Sequence, residues 1–68
     1  MKFNVDKNDT IRFKAYVLKG QSGFNVNFGD GTSKNYSTSG IVTHRYAIAY
    51  SPAVVTIDDG LLSIGVND

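Results

Sequence analysis

His44 is the only histidine in the chain, and histidine is the residue type that most often serves as a general base. A hydrolytic site would combine it with Asp30 or another aspartate and with a serine nucleophile. No nucleophile motif surrounds any of the serines, and chance combinations of these three residue types occur in most proteins. The sequence therefore predicts that the chain is not an enzyme and that no residue is catalytic.

A second oxygen-rich segment, Asp6-Lys7-Asn8-Asp9-Thr10, begins like a calcium-binding loop, with oxygen ligands at alternate positions. Ile11 stands where such a loop needs glycine, and no glutamate follows anywhere in the chain. We therefore expect no EF-hand, no metal site and no cofactor. Weak calcium binding by Asp6, Asn8 and Asp9 remains an alternative to a solvated turn.

Arg12, Lys14 and Tyr16 lie two residues apart, so they share one face of any strand that contains them. An aromatic ring beside two cations could contact a carbohydrate, a carboxylate or a neighbouring protein, although an ordinary solvated sheet face is the alternative. The polar segment 32–40 is the other candidate, because loops at the ends of sandwiches commonly carry recognition. The predicted partner-contact residues are Arg12, Lys14, Tyr16, Thr32, Lys34 and Tyr36.

Length and composition limit the number of domains and the classes of function that the chain can have. The 68 residues, 41% of them hydrophobic, predict one domain spanning residues 1–68. The absence of cysteine excludes disulfides and thiolate metal sites. A net charge of +1 disfavours general nucleic-acid binding, and no stretch is apolar enough to span a membrane. The first residues do not resemble a secretion signal, which favours synthesis in the cytoplasm unless the chain is a piece of a larger secreted protein.

Alternating hydrophobicity predicts an all-β fold of about six or seven short strands. The clearest strand contains Ile11, Phe13, Ala15 and Val17, and others are expected over 3–5, 24–28 and 41–46, the last with Val42, His44 and Tyr46 on one face. Segment 32–40 is expected to be a loop with a short edge strand at most. Because proline cannot donate to a central ladder, the strand after Pro52 is expected to begin at about Ala53.

The last segment predicts a β-hairpin. Asp59-Gly60 suits a two-residue type I′ turn, and that turn would put only apolar residues opposite one another. The expected pairs are Ile57 with Leu62, Val55 with Ile64, and Ala53 with Val66. The predicted core between two sheets comprises Ile11, Phe13, Val17, Val26, Phe28, Val55, Ile57, Leu62, Ile64 and Val66.

The motif Val26-Asn27-Phe28-Gly29-Asp30-Gly31-Thr32, the later His44-Arg45-Tyr46 and the closing Ala53-Val54-Val55-Thr56-Ile57 resemble the polycystic kidney disease (PKD) domain family. The resemblance covers roughly residues 11–57. Val26 and Asn27 stand where the family has tryptophan and aspartate, and Ser51-Pro52-Ala53 replaces its Gly-Thr-Tyr. The resemblance implies an immunoglobulin-like β-sandwich in which Phe28, Gly29, Asp30, Gly31, His44 and Tyr46 form a structural motif.

Members of this family usually serve as spacers, adhesion modules or assembly contacts, so the resemblance implies a non-catalytic binding or structural role. We expect docking onto a larger protein assembly, as a small bacteriophage virion protein such as a capsid decoration or accessory protein. It would be made in the host cytoplasm and reside in the virion. The alternative is an extracellular PKD-type module that binds carbohydrate or a cell-surface protein.

Overall fold

In a computed structural model, which describes residues 1–63, the chain forms eight short strands and, over that range, no helix. All five strand pairings are antiparallel. No helix in this range is therefore available to cross a bilayer. The strands are β1 (Lys2–Val5), β2 (Thr10–Val17), β3 (Phe24–Asn27), β4 (Ser33–Tyr36), β5 (Gly40–Arg45), β6 (Tyr50–Val54), β7 (Thr56–Asp58) and β8 (Gly60–Ser63).

The strands form three small sheets. β2 is the centre of the order β5-β2-β8, β3 is the centre of β4-β3-β7, and β1 pairs with β6. The alternation that predicts β2 matches its burial, because Ile11, Phe13 and Ala15 are buried whereas Arg12 and Lys14 are exposed. The all-β, sandwich-like fold class is confirmed. That the sandwich is immunoglobulin-like stays a prediction.

One apolar core joins the three sheets, since β1, β2, β3, β5 and β6 all contribute to a single cluster. Of the ten predicted core residues, Ile11, Phe13, Val26, Phe28 and Val55 are buried, and Val17, Ile57 and Leu62 are half-buried against them. Ile64 and Val66 lie outside the described residues. The core also contains Val5, Ala15, Phe24, Val42, Tyr46 and Ala53.

The predicted terminal hairpin is wrong. β7 pairs with β3, placing Ile57 opposite Val26, whereas β8 pairs with β2, placing Leu62 opposite Ala15. Asp59 has a positive φ of 63°, but Gly60 does not, and a type I′ turn needs positive φ at both positions. The chain therefore crosses from one sheet to the other at Asp59. The expected pairings of Val55 and Ala53 involve Ile64 and Val66, which lie outside the described residues.

Pro52 lies inside a strand, so the predicted start at Ala53 is also wrong. The register places Phe3 opposite Ala53 and Val5 opposite Tyr50, which leaves one residue of β1 facing two of β6. At such a bulge a residue is left out of the ladder, and a proline without an N–H is tolerated there. The predicted first strand and the short edge strand within 32–40 are confirmed as β1 and β4.

Candidate functional site

The segment from Phe28 to Thr32 forms a tight corner after β3. The Phe28 amide donates a hydrogen bond to the Thr32 carbonyl at 3.1 Å, and the Gly29 amide donates to Asn27 Oδ1 at 3.0 Å. Gly29 and Gly31 have φ of 81° and 89°, a conformation that residues with a Cβ rarely adopt. The corner is therefore built by its own backbone and by the side chain that precedes it.

Gly29 brings the corner against β6. A Cβ at this position would lie 2.3 Å from the Val54 carbonyl oxygen and 2.8 Å from the Val54 nitrogen. Both atoms belong to the backbone, so a flexible side chain cannot move aside to make room. Glycine is thus required at position 29 for two reasons, its positive φ and this close approach.

Asp30 is the hydrogen-bond acceptor at the centre of the corner. Its Oδ1 accepts from the Thr32 amide at 3.1 Å and from Thr32 Oγ1 at 2.5 Å, and its Oδ2 lies 2.7 Å from His44 Nε2. Partial burial alone would raise the pKa of Asp30. The hydrogen bonds from Thr32 and His44 outweigh that effect and hold the pKa below its ordinary value.

The His44 ring is held between two aromatic residues. It stacks on Phe28 with 3.9 Å between ring centroids and an interplanar angle of 7°, and it meets Tyr46 edge to face at 4.7 Å. The Tyr46 hydroxyl donates to the Phe28 carbonyl at 2.8 Å. Burial, with smaller effects from Asp30 and Tyr50, raises the pKa of Tyr46 to about 12. We name this network of Phe28, Asp30, Thr32, His44 and Tyr46 the corner lock.

An aspartate bonded to a histidine is two thirds of a hydrolytic triad, so the third member matters. The hydroxyl that shares Asp30 is Thr32 Oγ1, which donates to the carboxylate itself. Two serine hydroxyls have other partners, Ser39 with the Val17 amide and Ser51 with Asn4. An apolar groove of about 350 Å³ beside β7 and β8 includes neither Asp30 nor His44. This geometry supports a structural role for the pair.

The candidate calcium segment forms a turn that ties β1 to β2. The Asp6 amide donates to Asp9 Oδ2 at 2.8 Å, and Asn8 Oδ1 accepts from Arg45 at 2.6 Å. The Asn8 amide and the Asp9 carbonyl bond to the Tyr46 backbone, each at 2.8 Å. Asn8 Oδ1 and Asp9 Oδ2 thus each accept a hydrogen bond within the protein. Residues 1–63 contain no group of three or more acidic or histidine side chains suited to a metal.

Arg12, Lys14 and Tyr16 all lie on the side of β2 that faces away from the core, and all three are exposed. Residues directly opposite in an antiparallel pair share a face of the sheet. Thr43 lies opposite Arg12, Ile41 and Ser63 flank Lys14, and Leu61 lies opposite Tyr16. We name this surface the outer face of the β5-β2-β8 sheet. It comprises Arg12, Lys14, Tyr16, Ile41, Thr43, Leu61 and Ser63.

The other three predicted contact residues lie elsewhere and differ from one another. Thr32 is exposed but belongs to the corner lock, and Tyr36 is half-buried, with its ring stacked on Phe24 at 5.3 Å. Lys34 is exposed on the edge strand β4, where it lies opposite Val26 of β3. The structure therefore does not bring the six residues together. The first three share one surface, and Lys34 is the exposed cation of a different sheet.

Two exposed apolar residues of the outer face were not predicted. Ile41 is 57% exposed and Leu61 is 60% exposed, close to the 49% of Tyr16. A signal for Ile41 was present in the sequence, because alternation in β5 puts it on the same side as Thr43 when Val42 points inward. Alternation likewise puts Leu61 on the outer side when Leu62 points inward, but its neighbours across the sheet depend on the crossover at Asp59.

No protein-family model matches the sequence, and no curated protein or solved structure matches the chain. The resemblance to the PKD family consequently depends on the motif residues alone. In the structure, those residues form the corner lock and the strands that support it.

Proposed function

We propose that the chain is a non-catalytic docking module of a larger protein assembly, and specifically a small bacteriophage virion protein that decorates or accompanies the capsid. It would be an immunoglobulin-like sandwich of the PKD type, made in the host cytoplasm and retained in the virion. Its partners would be proteins, with neither nucleic acid nor membrane involved.

The observation that carries this proposal is the outer face. Tyr16, Ile41 and Leu61 are three of the large apolar side chains that are most exposed in residues 1–63. They lie on adjacent strands in adjacent register positions, so they form a patch instead of being scattered singly. Exposed apolar patches commonly mark protein interaction sites, whereas isolated exposed apolar residues are normal.

The corner lock also supports this proposal, because it gives His44 and Asp30 a structural role. Its histidine and aspartate have hydrogen-bonded and stacked partners inside the protein. The pair that most resembles a reactive centre is thus explained by the stability of the corner. This structural assignment of the pair supports the proposal of binding through an exposed surface.

Because the domain is small, docking is also expected to raise its stability. A cysteine-free domain of 68 residues buries only about 60% of the surface of its unfolded chain, so its stability margin is small. A partner that binds only the folded form adds RT ln(1 + [L]/Kd), or about 2.7 kcal/mol when the partner is present at one hundred times Kd. Docking is therefore expected to stabilise the folded chain as well as attach it to the assembly.

The alternative is an extracellular PKD-type module that binds carbohydrate or a cell-surface protein. Its specific support is the half-exposed Tyr16 ring beside Lys14 on an open sheet face. Aromatic rings with adjacent polar groups suit a sugar surface as well as a protein surface. The two candidates differ in where the protein accumulates and in what it binds.

The test is sedimentation of the tagged chain expressed in its native source. We expect the chain to migrate with particles in a density gradient, and we expect its thermal midpoint to rise when particles are present. A chain that stays at the top of the gradient as a monomer contradicts docking. Retention on an immobilised polysaccharide instead of on particles would favour the extracellular alternative.

A further inference from the structure

We propose that the outer face of the β5-β2-β8 sheet is the docking surface and that its partner is an acidic protein surface with an apolar centre. This inference rests on the proposed docking function. It goes further by assigning the surface, the chemical character of the partner and the residues that determine the affinity.

The apolar part of the outer face has a defined geometry. Leu61 lies opposite Tyr16 on one side of β2, and Ile41 lies opposite Lys14 on the other side. The side chains of Tyr16, Ile41 and Leu61, each about half exposed, therefore surround Lys14 of the central strand. Their apolar surface can be removed from water only by a partner that covers the face.

Within residues 1–63, the outer face carries positive charge and no carboxylate. Lys14 lies on it, and Arg45 continues it at the end of β5 opposite Thr10. The whole chain has a net charge of only +1, so this positive surface reflects how the charges are distributed. Complementary potentials at interfaces make a partner with carboxylates around its rim the matching surface.

The same charges argue against a second copy of this chain as the partner. A two-fold contact pairs the same patch on both copies, and β2 is the central strand of this sheet. Centred docking would bring Lys14 close to Lys14 of the other copy. Like charges placed across an interface are unfavourable, so an acidic partner is preferred.

The area of the face sets the expected strength of one contact. Three strands spaced about 4.8 Å apart and about six residues long cover roughly 300 Å² in projection. A standard interface buries about 800 Å² on each partner, so one such contact is expected to be weak. Many equivalent sites on one particle would raise the number of chains bound but not the affinity of each chain, which presents one such face.

The experiment measures the binding of purified variants to purified particles from the native source by co-sedimentation. Lys14→Glu and Ile41→Thr change the outer face. Lys34→Glu and Ile48→Thr are their matched controls, because Lys34 is exposed on another sheet and Ile48 is 56% exposed in the turn after β5. All four positions are exposed, and circular dichroism checks that each variant is folded.

We expect Lys14→Glu and Ile41→Thr to weaken binding at least tenfold and each control to change it less than twofold. Binding of the wild type should also weaken severalfold between 50 and 300 mM NaCl, since added salt screens exposed charges. If the wild type binds but the face variants bind equally well, the assigned surface is wrong while docking stands. If Lys14→Glu binds more tightly, the partner is not acidic. If the wild type fails to bind, the docking function itself is wrong.

Discussion

At the scale of single residues, the corner lock joins several hydrogen bonds and a ring stack through Asp30 and His44. One carboxylate accepts hydrogen bonds from a backbone amide, a hydroxyl and an imidazole, and the imidazole is stacked on the ring of Phe28. Hydrogen bonds to charged groups contribute about 1.5 to 3 kcal/mol each, roughly twice the contribution of neutral ones. Individual substitutions in this corner should therefore have measurable effects on stability.

Replacing His44 with alanine removes the 2.7 Å contact to Asp30 and the stack on Phe28. We expect the free energy of unfolding to fall by about 2 to 4 kcal/mol, from one charge-assisted hydrogen bond and one aromatic pair. Urea denaturation followed by circular dichroism measures the change. Thr43→Ala, at the adjacent exposed position of β5, is the control and should change the free energy by less than about 0.5 kcal/mol. A His44→Ala protein as stable as the control would refute the lock.

The lowered pKa of Asp30 predicts sensitivity to acid. A carboxyl group whose pKa is lower in the folded state than in the unfolded state stabilises the fold above the unfolded value of 3.8. That stability is lost as pH falls through the folded pKa. We therefore expect the gap in urea midpoint between wild type and Asp30→Asn to be largest at pH 5 to 7 and to close as pH falls below 3.8 and through the lowered pKa of the folded state.

Asp58→Asn is the matched control for this acid dependence, since Asp58 is exposed on β7. Its midpoint should stay near that of the wild type across the same pH range. A gap between wild type and Asp30→Asn that does not change with pH would show that the Asp30 carboxylate is not stabilised by its partners.

At the scale of elements, the crossover between β7 and β8 decides how the two main sheets are joined. The Leu18 amide donates to the Asp59 carbonyl at 3.1 Å, which attaches the crossover to the end of β2. Gly60 is buried directly behind it. An added Cβ there would lie 2.8 Å from the Tyr16 carbonyl oxygen and 2.9 Å from side-chain atoms of Ile57 and Phe24.

Gly60→Ala is consequently expected to lower the free energy of unfolding by about 1 to 3 kcal/mol, the usual cost of overpacking. Gly40→Ala is the matched control, because a Cβ at Gly40 has no neighbour within 4 Å. That variant should be as stable as the wild type or up to about 1 kcal/mol more stable. Equal stabilities of the two variants would contradict the close packing at Gly60.

At the scale of the whole molecule, the three sheets depend on one core. Phe13 is fully buried on the central strand β2, and its ring lies 5.5 Å from Phe3 of β1 and 6.5 Å from Phe28 of the corner. Among the strands of residues 1–63, only β3 and β4 are both paired and adjacent in sequence. The other pairings require distant segments to meet, so the loss of core contacts affects every sheet together.

Phe13→Ala should therefore lower the free energy of unfolding by about 3 to 5 kcal/mol, out of a total of roughly 3 to 10 kcal/mol for a domain of this size. Urea denaturation followed by circular dichroism measures the change. Ile48→Ala, at an exposed position, should leave the urea midpoint near that of the wild type. A Phe13→Ala midpoint equal to that of Ile48→Ala would show that the core does not depend on Phe13.

The sequence alone determined which residues face inward, because side chains alternate with a period of two wherever a strand forms. Ile11, Phe13, Val26 and Phe28 could be assigned to the core on this basis, and so could the corner from Phe28 to Thr32, whose glycines and Asx-type bonds are local. Arg12, Lys14 and Tyr16 could likewise be assigned to the opposite face of β2.

Only the tertiary structure decided which strands are partners. Ile57 and Leu62 point inward both in a hairpin and in a crossover between sheets, so the apolar pattern is the same for the two arrangements. At the crossover, Gly60 packs against Tyr16 and Phe24, and the Asp59 carbonyl accepts from the Leu18 amide, so its contacts come from residues distant in sequence. The patch formed by Tyr16, Ile41 and Leu61 depends on the choice between these two arrangements, because a surface is made of neighbours across strands and the sequence lists only neighbours along the chain.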